Sequence, residues 1–552
     1  MVKRSTALGA IAMWVSSSCD LPDRGPESQL EARLLRARGQ LRIATKDQVR
    51  TLDPSIAYDD VSSLALHALF DTLVDYSPSV RGDNTSGFDL EPHLAATWTI
   101  SDDGRDYRFM LRQGIAYADG TPIVAADFVS SLERALATEE SPFGPYLIDI
   151  EGAQAVIDHT RAHCTGLAAP TERELAIRLR RPNAALLRIL AMPFATPQRA
   201  DRVAAAGQRL RRQPMSQGPF TLELWDEGQR LVLHRNPNYW NAAHIHLDSI
   251  ELRENVPLDT QFLMFERGEL DSAERLTPPD YLWIASRPDW APYVQQRAVL
   301  NVFGSRMNVR RKPFDDRRVR QALNYALNKQ HSVKLLSGAA VASHGILPPG
   351  LFGRDSSIPP YPHDPARARA LLAAAGYPNG FDIDYVVMND DEAERLATSL
   401  QSDLAEVGVR VHIQLLSFAT YATAIGRAEG PAFSKATWTA DYPDPTNFFD
   451  AKFHSRMIAN DHSSNDSFYV NPTLDALLDA ARGDIDAAAR AALYRKAEHI
   501  LYEDAPWIWD YHQLMTEVIS PRVHGYSPHP IWLRDYHAAW LDTGGEHPPE
   551  RQ

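Results

Sequence analysis

A carboxylate at Asp441 is placed where it could neutralise a positive group. It closes the short apolar run Lys435-Ala436-Thr437-Trp438-Thr439-Ala440, stands between two aromatics, Trp438 and Tyr442, and precedes the punctuated turn Pro443-Asp444-Pro445. A strand ending in such an aspartate offers backbone donors and acceptors to an extended guest and a charge to a cation in a cleft. The same aspartate could equally be an Asx-type residue that shapes the turn before Pro443, with no ligand at all. The local pattern leaves both readings open.

Other chemistry finds less support. There is no Gly-x-Ser-x-Gly elbow, no His-Glu-x-x-His and no cysteine with activating company, so a hydrolase is not expected. The carboxylate pairs Asp59-Asp60 and Asp390-Asp391 are adjacent in sequence and mark polar loops. His244 and His246 could touch one metal from a strand, and His454 with His462 could add others. With 19 histidines in 552 residues such pairs arise by chance, so neither a metal nor a cofactor is expected.

A chain of 552 residues exceeds one ordinary core and calls for two or three lobes. Its net charge of −14 argues against nucleic acid or an anionic membrane as the main partner. At the N-terminus Lys3 and Arg4 precede a short apolar segment, Thr6 to Val15, then Ser16-Ser17-Ser18-Cys19. The apolar segment is too short to span a bilayer. The pattern resembles a bacterial lipoprotein signal in which Cys19 is lipidated, although Ser16 stands where such signals usually carry an aliphatic residue. Export is expected, to the periplasm or the outer face of a bacterial membrane. With Cys19 lipidated, Cys164 alone remains as a thiol and no internal disulfide can form.

The elements that must position Asp441 alternate along the chain. Gln40–Ala44 reads as a strand at period two, and Ser62–Leu73 as a helix through Leu64, Leu66, Leu69, Phe70 and Leu73. Tyr107–Arg112 alternates as a strand and Ala125–Leu136 as an amphipathic helix. After Gly218-Pro219, two strands flank Asp226-Glu227-Gly228, a hairpin signal. From Val299 onwards, helices over Asp315–Asn328, Asp364–Ala375 and Glu392–Val407 alternate with strands Ile383–Met388 and Val409–Leu415, the pattern of an α/β lobe. Late helices cover Pro472–Ala481 and Asp486–Asp504, before the aromatic strand Trp507–His512.

Several landmarks occur in one order: Leu52-Asp53-Pro54, His93-Leu94-Ala95-Ala96-Thr97-Trp98, Asp119-Gly120-Thr121-Pro122, Gly218-Pro219-Phe220, Arg235-Asn236-Pro237-Asn238-Tyr239-Trp240, Pro313-Phe314-Asp315-Asp316-Arg317 and Trp438-Thr439-Ala440-Asp441-Tyr442. In that order, over about residues 40–542, the chain resembles the extracytoplasmic solute-binding proteins of the oligopeptide ABC importer type. The resemblance implies an α/β, two-lobed periplasmic-binding-protein-like fold with three domains, mixed sheets flanked by helices and a hinge between lobes. Residues 1–18 would be the signal, 19–39 a tether, and 40–75, 190–295 and 505–542 pieces of lobe 1. Residues 76–189 would be a domain inserted in lobe 1, 296–504 lobe 2, and 543–552 a disordered tail. Such a protein captures an oligopeptide by hinge closure and delivers it to permease subunits. A monomer is expected, touching the membrane only through the lipid anchor.

By the same resemblance, Ala57–Asp60, which includes Tyr58, and Ala436, Thr437 and Trp438 would pair with the peptide backbone, and Asp441 would meet its α-ammonium group. Lys435, and more loosely Arg427, would take the C-terminal carboxylate, unless they are surface residues. The loop Met388–Glu392 is acidic where some relatives are basic, which leaves peptide length open. Tyr117, Trp438, Tyr442 and Tyr511 would line side-chain pockets, or belong to the core. A sugar or a nickel or other metal chelate remains an alternative ligand, because a fold does not fix its ligand. A sensory or partner-docking lipoprotein also remains open.

Overall fold

The computed structural model describes residues 39–542 apart from 81–82 and 84–85. The expected signal, Cys19, the tether up to residue 38 and the tail 543–552 therefore lie outside the described residues.

Alternation makes Gln40–Ala44 a strand with Leu41 and Ile43 buried. It runs parallel to Ser249–Arg253, and the sheet continues antiparallel through Arg230–Arg235 to Phe220–Asp226. The helix predicted over Ser62–Leu73 spans Asp60–Leu69, with the Asp59 carboxylate accepting from the Ser62 amide at 2.8 Å. It stops short because the Leu69 carbonyl accepts instead from the amides of Gln217 and Gly218, at 3.2 and 2.9 Å. Gly218 has no room for a side chain there, since a Cβ would sit 2.6 Å from the Leu69 carbonyl carbon. Tertiary hydrogen bonds thus overrule the helical spacing of Phe70 and Leu73.

Residues 95–178 form a separate antiparallel sheet, in the order Ala95–Ile100, Asp106–Leu111, Glu174–Arg178, Leu167–Thr171. The helix Ala125–Ala137 belongs to the same core through Phe128, Leu132 and Leu136, and Cys164 is buried in it as a free thiol.

The second lobe is built on a mixed sheet whose order is Trp507–Ile519, Asn301–Met307, Phe433–Thr439, Asp382–Met388, Arg410–Leu416. Helices Arg317–Ala326, Asp391–Ala405, Pro472–Gly483 and Ala487–Asp504 bury Val319, Leu323, Leu404, Leu478 and Leu501 in one core with Trp507 and Trp509.

The lobes are joined by two strands lying side by side. Trp507–Ile519 runs beyond the predicted His512: its first half pairs with Phe303–Arg306, its second with Val294–Ala298. The expected division at 505 thus meets a strand shared between the lobes. Asn301 stitches the crossing, because its side chain accepts from the Gln513 amide at 3.0 Å and donates to the Gln513 side chain at 3.2 Å. Gly304 is required beside it, where a Cβ would approach the Ile508 carbonyl oxygen to 2.2 Å. The outcome is the two-lobed α/β architecture with mixed sheets flanked by helices that the family resemblance implies.

Candidate functional site

A cavity of about 980 Å³ lies between the lobes. Ala57, Tyr58, Asp59 and Asp60 line it from the first lobe, Thr439–Pro443 with Asp390 and Glu392 from the second, and Asn301, Phe303 and Gln513 at the crossing strands.

Asp441 sits on this wall at the end of the strand Phe433–Thr439. Asn447 fixes it twice, accepting from the Asp441 amide at 3.1 Å and donating to its carboxylate at 3.1 Å. Asn447 is itself set by the helix Pro445–Phe453, whose N-cap Asp444 accepts from the Thr446 amide at 2.9 Å. The other donors to Asp441 are the hydroxyls of Tyr58, at 2.5 Å, and Tyr146, at 2.7 Å. Tyr58 is 52% exposed, and that surface faces the cavity. Withdrawal from bulk water and then the Asp441 charge push both phenols up, so each stays protonated and donates. All three donors are neutral, and among the described residues no lysine, arginine or histidine forms an ion pair with Asp441.

The other residues singled out from sequence fall into two groups. Tyr442 is buried, lines the cavity and meets Tyr146 edge to face at 5.7 Å. Asp60 lines it too and pairs with Arg275 at 3.5 Å. Lys435 lies behind the wall: it is buried, with its ammonium 5.7 Å from the Phe303 ring, and burial pushes its amine down. Tyr511 is also behind, stacked on Phe303 at 4.8 Å. Trp438 donates to the Asn447 side chain at 3.2 Å and lies under the Lys452 ammonium. Ala436 and Thr437 belong to a strand fully paired with Asn301–Met307, whereas its other neighbour pairs with it only at Val386 opposite Ser434. Tyr117 is in the core packed on the separate antiparallel sheet of residues 95–178, and Arg427 is exposed and paired with Asp461 at 3.2 Å. Neither is brought to the cavity.

Sequence reading missed Tyr146, Asn447, Phe303, Gln513, Lys46 and Arg275, all at or beside this wall. Arg275 has φ 46°, a left-handed backbone that carries a cost for a residue with a Cβ and that its sequence does not announce.

Two lobes joined by crossing strands enclose a cavity lined by both apolar side chains and carboxylates, an arrangement suited to holding a ligand. The chain belongs to the bacterial extracellular solute-binding proteins of family 5, whose middle-region model matches residues 89–460. It is 28% identical over 555 residues to heme-binding protein A of Haemophilus influenzae (strain Rd), covering 93% of this chain and 100% of that protein. It is also 28% identical over 466 residues to the dipeptide-binding protein of Escherichia coli K12, covering 80% and 84%. Among solved structures, the clavulanic acid biosynthesis oligopeptide binding protein 2 superposes with a TM-score of 0.82 at 27% identity, covering 91% of this chain and 95% of that one. Proteins of this family are periplasmic and serve ABC importers, and they bind their ligands rather than transform them.

Proposed function

We propose that this chain captures peptides with a free N-terminus between its lobes and hands them to the permease of an ABC importer. The observation that carries the reading is the state of Asp441, a carboxylate on the cavity wall served only by neutral donors. Neutral donors stabilise its charge without cancelling it, so an α-ammonium group gains a charge-assisted hydrogen bond of about 1.5–3 kcal/mol. The strand leading to it has a ladder partner along one edge only beyond Ser434, which suits addition of an extended backbone. A cavity of about 980 Å³ suits a short peptide. The cations on its wall are Arg275 and Lys46, which fit the far carboxylate better than Lys435 behind Phe303 or the distant Arg427.

Relatives named for heme raise a competing ligand. The wall carries Asp59, Asp60, Asp390, Glu392 and Asp441 against those two cations, an unfavourable field for a dianionic porphyrin, and no histidine lines it among the described residues. Calorimetry of the purified chain against a mixed peptide library, its N-acetylated counterpart and hemin tests the reading. Free peptides are expected to bind, and acetylation or Asp441→Ala to weaken binding by about tenfold or more, or about 1.4 kcal/mol. Equal affinity for free and acetylated peptides would overturn the role of Asp441.

A further inference from the structure

Behind the first lobe's side of the cleft lies a second polar cluster that the peptide reading does not use. His67 stands in the last turn of the helix Asp60–Leu69, while Asp535 and His537 follow the short strand Leu533–Arg534 near the other end of the described chain. One ligand-type atom from each of the three lies within 4.8 Å of the other two. We propose that His67, Asp535 and His537 bind one divalent transition-metal ion, of the kind Zn²⁺ represents, and that this ion staples the C-terminal segment to the first lobe.

The surroundings are those of a supported ligand set. The Asp75 carboxylate lies 3.3 Å from His67 Nε2, an outer partner of the kind that orients a ligating imidazole so that its other nitrogen, Nδ1, meets the metal. Asp75 is held in turn by the Trp532 indole N–H at 3.0 Å, and the Trp532 ring stacks on His67 at 4.1 Å. His537 has one ring nitrogen 2.6 Å from Asp535, while its Nε2 is buried with no hydrogen-bond partner. Charge gives an independent argument. Asp71, Asp75 and Asp535 lie together here, and their ion-pair partners among the described residues are histidines, with no lysine or arginine. Either protonated histidines or a bound dication must compensate them. Two imidazoles and one carboxylate are a borderline donor set that suits Zn²⁺, Co²⁺ or Ni²⁺ better than Mg²⁺ or Ca²⁺. The side chains of His537 and Asp535 keep 20% and 16% exposure, which gives the ion a way in and leaves a position for water. Bonds of about 2.0–2.2 Å require the three ligand atoms to draw together when the ion binds. None of His244, His246, His454 and His462 belongs to this cluster; His454 is committed to Asp475 and Asp479, both at 3.3 Å.

The test uses the full chain, stripped with a chelator and titrated with CoCl₂ and ZnCl₂ alone. The expected result is one Co²⁺ per chain with the visible bands of a low-coordinate site, and a thermal midpoint that rises with Zn²⁺. His67→Gln and His537→Gln should each remove both signals, and Asp75→Asn should weaken metal affinity by about tenfold or more. His454→Gln should change neither. A wild-type circular dichroism spectrum and a cooperative unfolding transition in the metal-free variants show that they are folded, and this readout needs no peptide, so failure here stays distinct from failure of the peptide reading. Two outcomes overturn the site. One is a wild-type chain with no Co²⁺ spectrum and no Zn²⁺ stabilisation, its cluster neutralised by protons alone. The other is metal binding that survives the His67→Gln, His537→Gln double variant.

Discussion

Asp441 and Asp444 are three residues apart, yet the cleft wall and the lobe interior behind it treat them in opposite ways. Asp444 is fully buried and accepts from both terminal nitrogens of Arg490, each at 2.7 Å. Burial alone would raise its pKa, but the guanidinium wins and holds the carboxyl below its usual range. Asp441 has the hydroxyls of Tyr58 and Tyr146 and the amide of Asn447 in place of a cation. One carboxylate is cancelled and holds the turn. The other has no cation beside it and faces the cavity. A similar cancelled cluster joins the region of residues 95–178 to the second lobe, where Arg482 bridges Asp149 and Asp450 at 2.5 and 2.9 Å. In these two clusters the buried carboxylates are paired with arginine, whereas Asp441 has only neutral donors.

The largest effect should come from breaking the paired region. Arg490→Met leaves Asp444 buried and uncompensated, and should cost about 3–5 kcal/mol in urea unfolding. A loss below about 1 kcal/mol would show that the two carboxylates differ less than their partners suggest.

Next in size is a proton effect in the same interior. His512 is buried and lies 2.7 Å from the Asn301 carbonyl, and burial pushes its pKa down to about 3. The unfolded chain therefore takes up this proton near pH 6.5 while the folded chain does not. Stability from this group is present above that pH and lost as pH falls toward 3, by up to about 1.4 kcal/mol per unit. His512→Gln should flatten that limb in unfolding curves recorded from pH 7 to 4.5. An unchanged slope would place the acid sensitivity elsewhere.

On the cleft side, Asp441→Asn should lower affinity for a free-N-terminus peptide by about tenfold, or about 1.4 kcal/mol, with little change in unfolding midpoint. A large stability loss with unchanged affinity would reverse the assignment of the two regions. The smallest effect is expected of Tyr146→Phe, which removes one neutral donor and should change peptide affinity by no more than about 1 kcal/mol in calorimetry. If it matched Asp441→Asn, the tyrosine rather than the carboxylate would be the main contact.

Much of the scaffold was legible locally. Period-two alternation identifies Gln40–Ala44, and helical spacing identifies Arg317–Ala326 and Ala487–Asp504 to within a few residues. Asp441 was legible as a candidate from its own short stretch, and Tyr58 only through the family resemblance. Their meeting at 2.5 Å was not, since 383 positions separate them in the chain. Nor could spacing tell that Lys435 and Tyr511 lie behind Phe303, or that Arg427 pairs with Asp461 on the surface. Those outcomes depend on which face of a strand or helix meets the other lobe.

The sequence by itself determined the elements and their order, because propensity, capping and periodicity act over a few residues. Only the tertiary structure decided that Asp444 meets Arg490, 46 positions away, while Asp441 meets tyrosines. The reason is that a carboxylate's free energy is set by distance to countercharge and by withdrawal from water, and both belong to the packed lobes rather than to the local chain.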